Sequence, residues 1–135
     1  MISISISTSR QTEFLDITRK VEKIISESRV SEGLALIYCP HTTAGVTINE
    51  GADPSVQEDI LKILNQMVPF KGSYRHGEGN SPAHIKASLI GSSVTVMIED
   101  QRLILGQWQS LFFCEFDGPR TRQVIVRLSP LESVK

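Results

Sequence analysis

Isoleucine and serine alternate through Ile2, Ser3, Ile4, Ser5 and Ile6, a period of two that sets one face of an N-terminal strand against a core. The period then lengthens. Ile17, Val21, Ile24 and Ile25 recur every three to four residues, which predicts a helix capped by Asp16 or Thr18 and stopped by Gly33. Residues 34–39 form an apolar run ending at Pro40, and residues 44–49 a second strand after a short polar break. Asp53 as cap, Pro54 at the first helical position and the stripe Val56, Ile60, Ile63, Leu64 and Met67 define a second helix that Pro69 closes.

Residues 71–80 are glycine-rich and polar and read as a loop, leading into a third helix over 82–90 with Ser81 as cap and Gly91 as stop. The remaining pattern is β: strands over 94–98, 103–105, 108–116 and 123–128, with turns at 99–102 and 117–121. In the run after Gly106, alternation puts Trp108, Phe112, Cys114 and Phe116 on one face, predicted as core. Leu111, Phe113 and Glu115 fall on the other, predicted as a pocket wall or subunit interface. Strands outnumber helices and the connections are short. The expected class is α+β: one domain over 1–135, with an antiparallel β-sheet or sandwich covered in part by two to three helices.

At 135 residues with 40% hydrophobic and 21% charged, the chain has enough apolar sequence for a core without a structural metal or disulfides. A net charge of -1 gives no basic field, so nucleic acid is not an expected partner. Cys39 and Cys114 each lie in an apolar run and read as reduced, buried thiols. No run approaches a membrane span or a signal peptide, so no membrane partner and a cytoplasmic location are expected.

All three histidines fall in two polar, glycine-bearing runs, one opening at His41 and the other spanning His76 to His84. Imidazole is both a metal ligand and an acid or base near neutral pH, so two loop-like runs carrying every histidine point to one converging site. With Ser81 at the cap, His84 falls in the first helical turn, and glycines 77 and 79 allow the chain to fold His76 back toward it. The helix start aims free N–H groups outward, with Arg75 and Lys86 near in sequence, an arrangement that holds phosphate or carboxylate. Glu50 and Glu78 are the nearest acids and the candidate proton-moving groups. Thr42, Thr43, Asn49 and Asn80 are orienting donors, Glu115 is a substrate contact or a partner for Arg120, and Arg120 is an anion contact. The opposing reading makes His41 a strand-end side chain bonded to backbone and the acids solvated loop residues.

The motifs at 41–50, 79–88, 105–109 and 116–120, taken together and in order, resemble the YjbQ-like family over nearly the whole chain. Gln107 departs from the threonine associated with that family's Gly-x-Trp-Gln motif. The resemblance implies a small trimeric α+β domain and a pocket near a subunit boundary where His41, His76 and His84 gather with a bound metal. Glu50, Asn80 and Trp108 match motif positions in that pocket. The family carries the label secondary thiamine-phosphate synthase. The expected function is therefore a metal-dependent enzyme for a small phosphorylated metabolite, with Ser81 at the phosphate-receiving helix start and zinc as the metal, or magnesium with a diphosphate substrate. A non-catalytic trimeric module binding metal or small anion is the alternative.

Overall fold

The computed structural model describes residues 1–132. Its elements run β1 (Ile2–Ser7), β2 (Glu13–Asp16), α1 (Thr18–Ser28), β3 (Gly33–Tyr38), β4 (Ala44–Glu50), α2 (Pro54–Met67), α3 (Ser81–Ile90), β5 (Ser93–Glu99), β6 (Arg102–Leu103), β7 (Gln109–Glu115) and β8 (Thr121–Pro130). They form two antiparallel sheets, one in the order β1-β8-β3-β5-β6 and the other in the order β2-β7-β4. The α+β sandwich expected from the sequence is the observed architecture.

Ile6, Ala35, Ile37, Val96, Ile98, Val124 and Val126 of the larger sheet meet Val46, Leu111 and Phe113 of the smaller one, and α1 adds Val21 and Ile25 to the same core. A second core lies on the far face of the smaller sheet, where Phe112, Cys114 and Phe116 are covered by Ala83 of α3 and by Leu61 and Leu64 of α2. β7 is therefore buried on both faces. The Leu111 and Phe113 face is interior to the sandwich and not a pocket wall or interface. Trp108 precedes β7 in a turn and is 59% exposed, because the alternation that places Phe112 in the core begins only at Gln109.

Local chemistry explains where the helices begin and end. Asp53 caps α2 by accepting the Ser55 N–H at 2.9 Å, with Pro54 first in the helix. For α1 the N-cap position is Ile17, while Asp16 accepts the Thr18 N–H and the Thr18 hydroxyl accepts the Leu111 N–H, tying helix to sheet. That helix stops at Arg29, in the left-handed region at φ 62°, ahead of Gly33, which opens β3 instead. α3 starts at Ser81 with Asn80 at the cap, so Ser81 is the first helical residue and not the cap, and Gly91 at φ 100° ends it as expected. β2 has no isolated signal: its four residues, Glu13-Phe14-Leu15-Asp16, become a strand by pairing with β7. Cys39 and Cys114 are free and buried, and burial raises both thiol pKa values. No helix among the described residues is long and apolar enough to cross a membrane.

Candidate functional site

The site forms where the loop after α2 meets the start of α3. His84 is in the first turn of α3, and the loop brings His76 edge-on to it, ring centroids 5.3 Å apart at an interplanar angle of 88°. Glu78 Oε2 lies 3.9 Å from His76 Nε2. Beside this pair is a cavity of about 320 Å³ walled by Thr42, Thr43, Asn80, Asp117 and Arg120 as well as His76, Glu78 and His84. His84 also lines a cavity of about 510 Å³ with His41, Thr42 and Ser88, and another of about 520 Å³ with Tyr74, Arg75, His76 and Ser81.

The floor of the smallest cavity is polar and tightly bonded. Asn80 Nδ2 donates to Asp117 Oδ2 at 2.9 Å, and Arg120 donates to the same oxygen at 3.0 Å and to the Asp117 carbonyl at 2.7 Å. Asn80 Oδ1 is the one buried side-chain polar atom without a partner among the described residues. A buried acceptor left empty is costly, and it marks a place for a donor from a ligand or its water.

Glu115 does not line the pocket and does not pair with Arg120. It is fully buried beneath it, accepting from Thr8 Oγ1 at 2.7 Å, from Arg122 Nε at 2.9 Å, and from the Phe116 and Asp117 N–H groups. Arg122, itself 5% exposed, continues to the Thr43 hydroxyl at 2.9 Å, so the pair holds the pocket wall from below. Sequence reasoning missed Arg122 and gave Asp117 only a turn role. The signal for Arg122 was present, since period-two alternation puts it on the same inward face as Val124 and Val126. Lys86 is not at the helix start's anion surface: it is fully buried on the opposite side of α3, its Nζ bonded to Asn65 Oδ1 at 2.6 Å.

Three further candidates lie elsewhere in the chain. Asn49, Glu50 and Trp108 sit at the far end of β4 and β7, about 20 Å along the strand from the histidine end at 3.3 Å per residue. Their contacts are local: Asn49 Oδ1 accepts the Glu50 N–H, Glu50 Oε2 accepts the Ala52 N–H, and the Trp108 carbonyl accepts the Gly51 N–H. Within one chain they do not join the histidines.

His41 occupies a strand end, where Nε2 accepts the Gln123 N–H at 2.9 Å. Burial, and then the nearby Arg122 charge, hold its pKa below the usual imidazole value. Among the described residues no three His, Cys, Asp or Glu side chains are grouped to hold a metal ion. His76 and His84 fit as an adjacent pair of nitrogen donors, but the three-histidine set is not assembled, since His41 Nε2 is already committed to backbone.

Two antiparallel sheets, with α1 packed into the core they share and α2 and α3 over the far face of the smaller one, define a small α+β domain with a polar, histidine-lined cavity at the start of α3. Residues 2–130 match the family model described as UPF0047 protein YjbQ-like, and the chain belongs to that family. It is 50% identical over 127 residues to UPF0047 protein YugU of Bacillus subtilis, covering 93% of this chain and 96% of that protein. A crystal structure of an uncharacterised YjbQ/UPF0047 protein from Clostridium acetobutylicum is 54% identical and superposes with a TM-score of 0.94, covering 96% of this chain and 100% of the other. A conserved hypothetical protein from Thermus thermophilus, 44% identical, gives 0.89 over 96% of this chain and 100% of its own.

Proposed function

We propose that this chain binds and turns over a small phosphorylated metabolite in the cavity at the start of α3. The observation that carries this reading is the convergence of His76, His84, Glu78, Thr42, Thr43, Asn80 and Arg120 on one cavity from three separate stretches of sequence. Arg120 and the hydroxyls suit phosphoryl oxygens, and the α3 N-terminus adds the positive end of its dipole. When loaded, a divalent metal, zinc in first place, would be held by the His76 and His84 pair and would supply Lewis acidity. Glu78, exposed beside His76, is the group placed to move a proton. Among reactions of phosphorylated metabolites, the one to assay first is the joining of a pyrimidine diphosphate to a thiazole phosphate, in which the carbon–oxygen bond to pyrophosphate breaks and a carbon–nitrogen bond to the thiazole forms, the thiamine-phosphate synthase reaction.

The supporting experiment is elemental analysis of untagged protein beside His84→Ala, followed by release of phosphate or pyrophosphate from a panel of phosphorylated metabolites. Turnover lost in both His84→Ala and Glu78→Gln supports an enzyme. Tight phosphate binding with no turnover supports the second reading, a binding module, which is favoured by the lack of a nucleophile paired with a base and an orienting group at the pocket.

The outer face of the five-stranded sheet exposes Leu34 (46%), Leu36 (40%), Tyr38 (42%) and Met97 (57%), a contiguous apolar surface across β3 and β5. Such a face supports self-association, and a homotrimer is the assembly we propose. Light scattering on wild type and Leu36→Lys tests it, with a 45 kDa species lost in the variant as the expected result, three times the 15.0 kDa chain.

A further inference from the structure

The pairing of β3 with β8 ends at Tyr38 opposite Ile125. The pairing with β8 stops there: the Cys39 N–H extends the β5 register to the Ser92 carbonyl at 2.7 Å, and Pro40, next in register opposite Gln123, has no N–H to offer. The next β8 N–H on that side belongs to Gln123, two residues before Ile125, and no strand carbonyl reaches it. His41 takes the vacant ladder position with its ring, accepting that N–H on Nε2 at 2.9 Å. Only a ring nitrogen with a free lone pair can accept, so Nε2 is unprotonated, and the proton of the neutral ring resides on Nδ1. A ring turned by half a revolution would present C–H to the Gln123 N–H and leave that donor unsatisfied.

His41 lines not the cavity of about 320 Å³ itself but the neighbouring one of about 510 Å³, and the two meet at Thr42 and His84, which wall both. The Nδ1 of His41 is not among the sealed, unpartnered polar atoms, since Asn80 Oδ1 alone holds that position among the described residues. We propose that His41 is not a third metal ligand but a fixed Nδ1–H donor to an oxygen of the phosphorylated ligand, its tautomer set by the Gln123 backbone. This rests on the phosphate reading of the pocket. A neutral donor locked by the ladder meets an anionic oxygen without reorganising, and its bond strengthens as charge builds on that oxygen. Burial, and then the guanidinium of Arg122 one residue before Gln123, disfavour a second proton and keep the ring neutral, while the Gln123 N–H alone sets which nitrogen carries the proton.

The test is long-range proton–nitrogen NMR on protein with labelled histidine, with the His41 signals identified by their loss in His41→Asn. The expected spectrum has a protonated Nδ1 and an unprotonated Nε2 for His41. Adding zinc should shift His76 and His84 and leave both His41 nitrogens in place, whereas inorganic phosphate should shift the His41 Nδ1 proton. Two variants separate donor from scaffold. His41→Asn keeps an N–H near the Nδ1 position, and His41→Gln keeps an acceptor near Nε2 without the donor. Zinc stoichiometry should match wild type in both, while phosphate affinity should fall about fivefold in His41→Gln and less in His41→Asn.

A protonated Nε2, a His41 shift on zinc addition, or zinc lost in His41→Asn would overturn the inference. So would phosphate affinity that is unchanged in both variants or equally reduced in both. If wild type binds no zinc, the metal clause of the proposed function fails, and the tautomer and phosphate results still decide the role of His41.

Discussion

Arg122 and Glu115 face each other across the two sheets, one from β8 and one from β7, and make the only ion pair among the described residues with both side chains buried, 6% and 0% exposed. Arg122 Nε lies 2.9 and 3.1 Å from the two carboxylate oxygens. Every remaining acceptor site of Glu115 is taken by Thr8 or by backbone N–H groups. Removing one partner leaves the other charge buried, so Glu115→Gln and Arg122→Met should each cost about 3–5 kcal/mol. The double variant should cost less than the sum of the two. Urea denaturation of all four proteins checks this, and additive single effects would show that the pair does not act as a unit.

Gly118 packs where a side chain has no room. A Cβ there would meet the Arg10 carbonyl, Glu115 Cγ at 2.8 Å and Thr8 Oγ1 at 2.9 Å, whereas at Gly77 it would meet nothing within 4 Å. Gly118→Ala should therefore destabilise the fold by about 1–3 kcal/mol through overpacking of the Glu115 network. Gly77→Ala should leave stability unchanged. Thermal melting of the two variants side by side makes the comparison, and equal melting temperatures would refute the close packing.

Lys86 is fully buried, with Nζ bonded to Asn65 and lying 4.1 Å from the centre of the Phe70 ring. Burial lowers its pKa below the usual lysine value. The unfolded chain then holds the proton to higher pH than the folded one, so stability rises with pH between the folded and unfolded pKa values and is flat below both. Lys86→Met keeps the stem, removes the charge and should abolish that rise. Wild type should accordingly gain stability relative to Lys86→Met in urea denaturation as pH rises toward the ordinary lysine value of about 10.4, and the gain should level off above it. A difference between the two that does not change with pH would show that the lysine titrates normally.

The sheets and helices were legible because alternation and capping are local: Ile4 and Ile6 point inward as their period requires, and Asp53 caps α2 where its spacing before Pro54 put it. What escaped notice depends on partners distant in sequence. Phe14 and Leu15 carry no strand period of their own and pair only because Cys114 and Phe113 lie opposite. Trp108 was assigned to the core by extending β7 one residue too far, past the turn that exposes it. At the site, His76 and His84 are eight positions apart across glycines, a spacing that permits their meeting without requiring it. Glu115 has its fate decided by Arg122 and by Thr8, just past the end of β1 and 107 residues away, a relationship that no local pattern encodes.

The unpaired Oδ1 of Asn80 gives the sharpest handle on the pocket's electrostatics. The other end of the same amide donates to Asp117 Oδ2, which also receives Arg120 at 3.0 Å, so one carboxylate orients both side chains. Asn80→Asp would set a second carboxylate against the first, compete for Arg120 and repel an incoming anion. Inorganic phosphate should bind about tenfold more weakly at low salt, and the defect should shrink as added salt screens the new charge. Asn80→Ala loses a hydrogen bond but adds no charge, so its defect should be about fivefold or smaller and nearly independent of salt. Phosphorus NMR titrations at low and high ionic strength distinguish the two. A wild-type affinity in Asn80→Asp would place the anion outside the Asn80, Asp117 and Arg120 corner, and would move the phosphate site toward the cavity shared by His84 and Arg75.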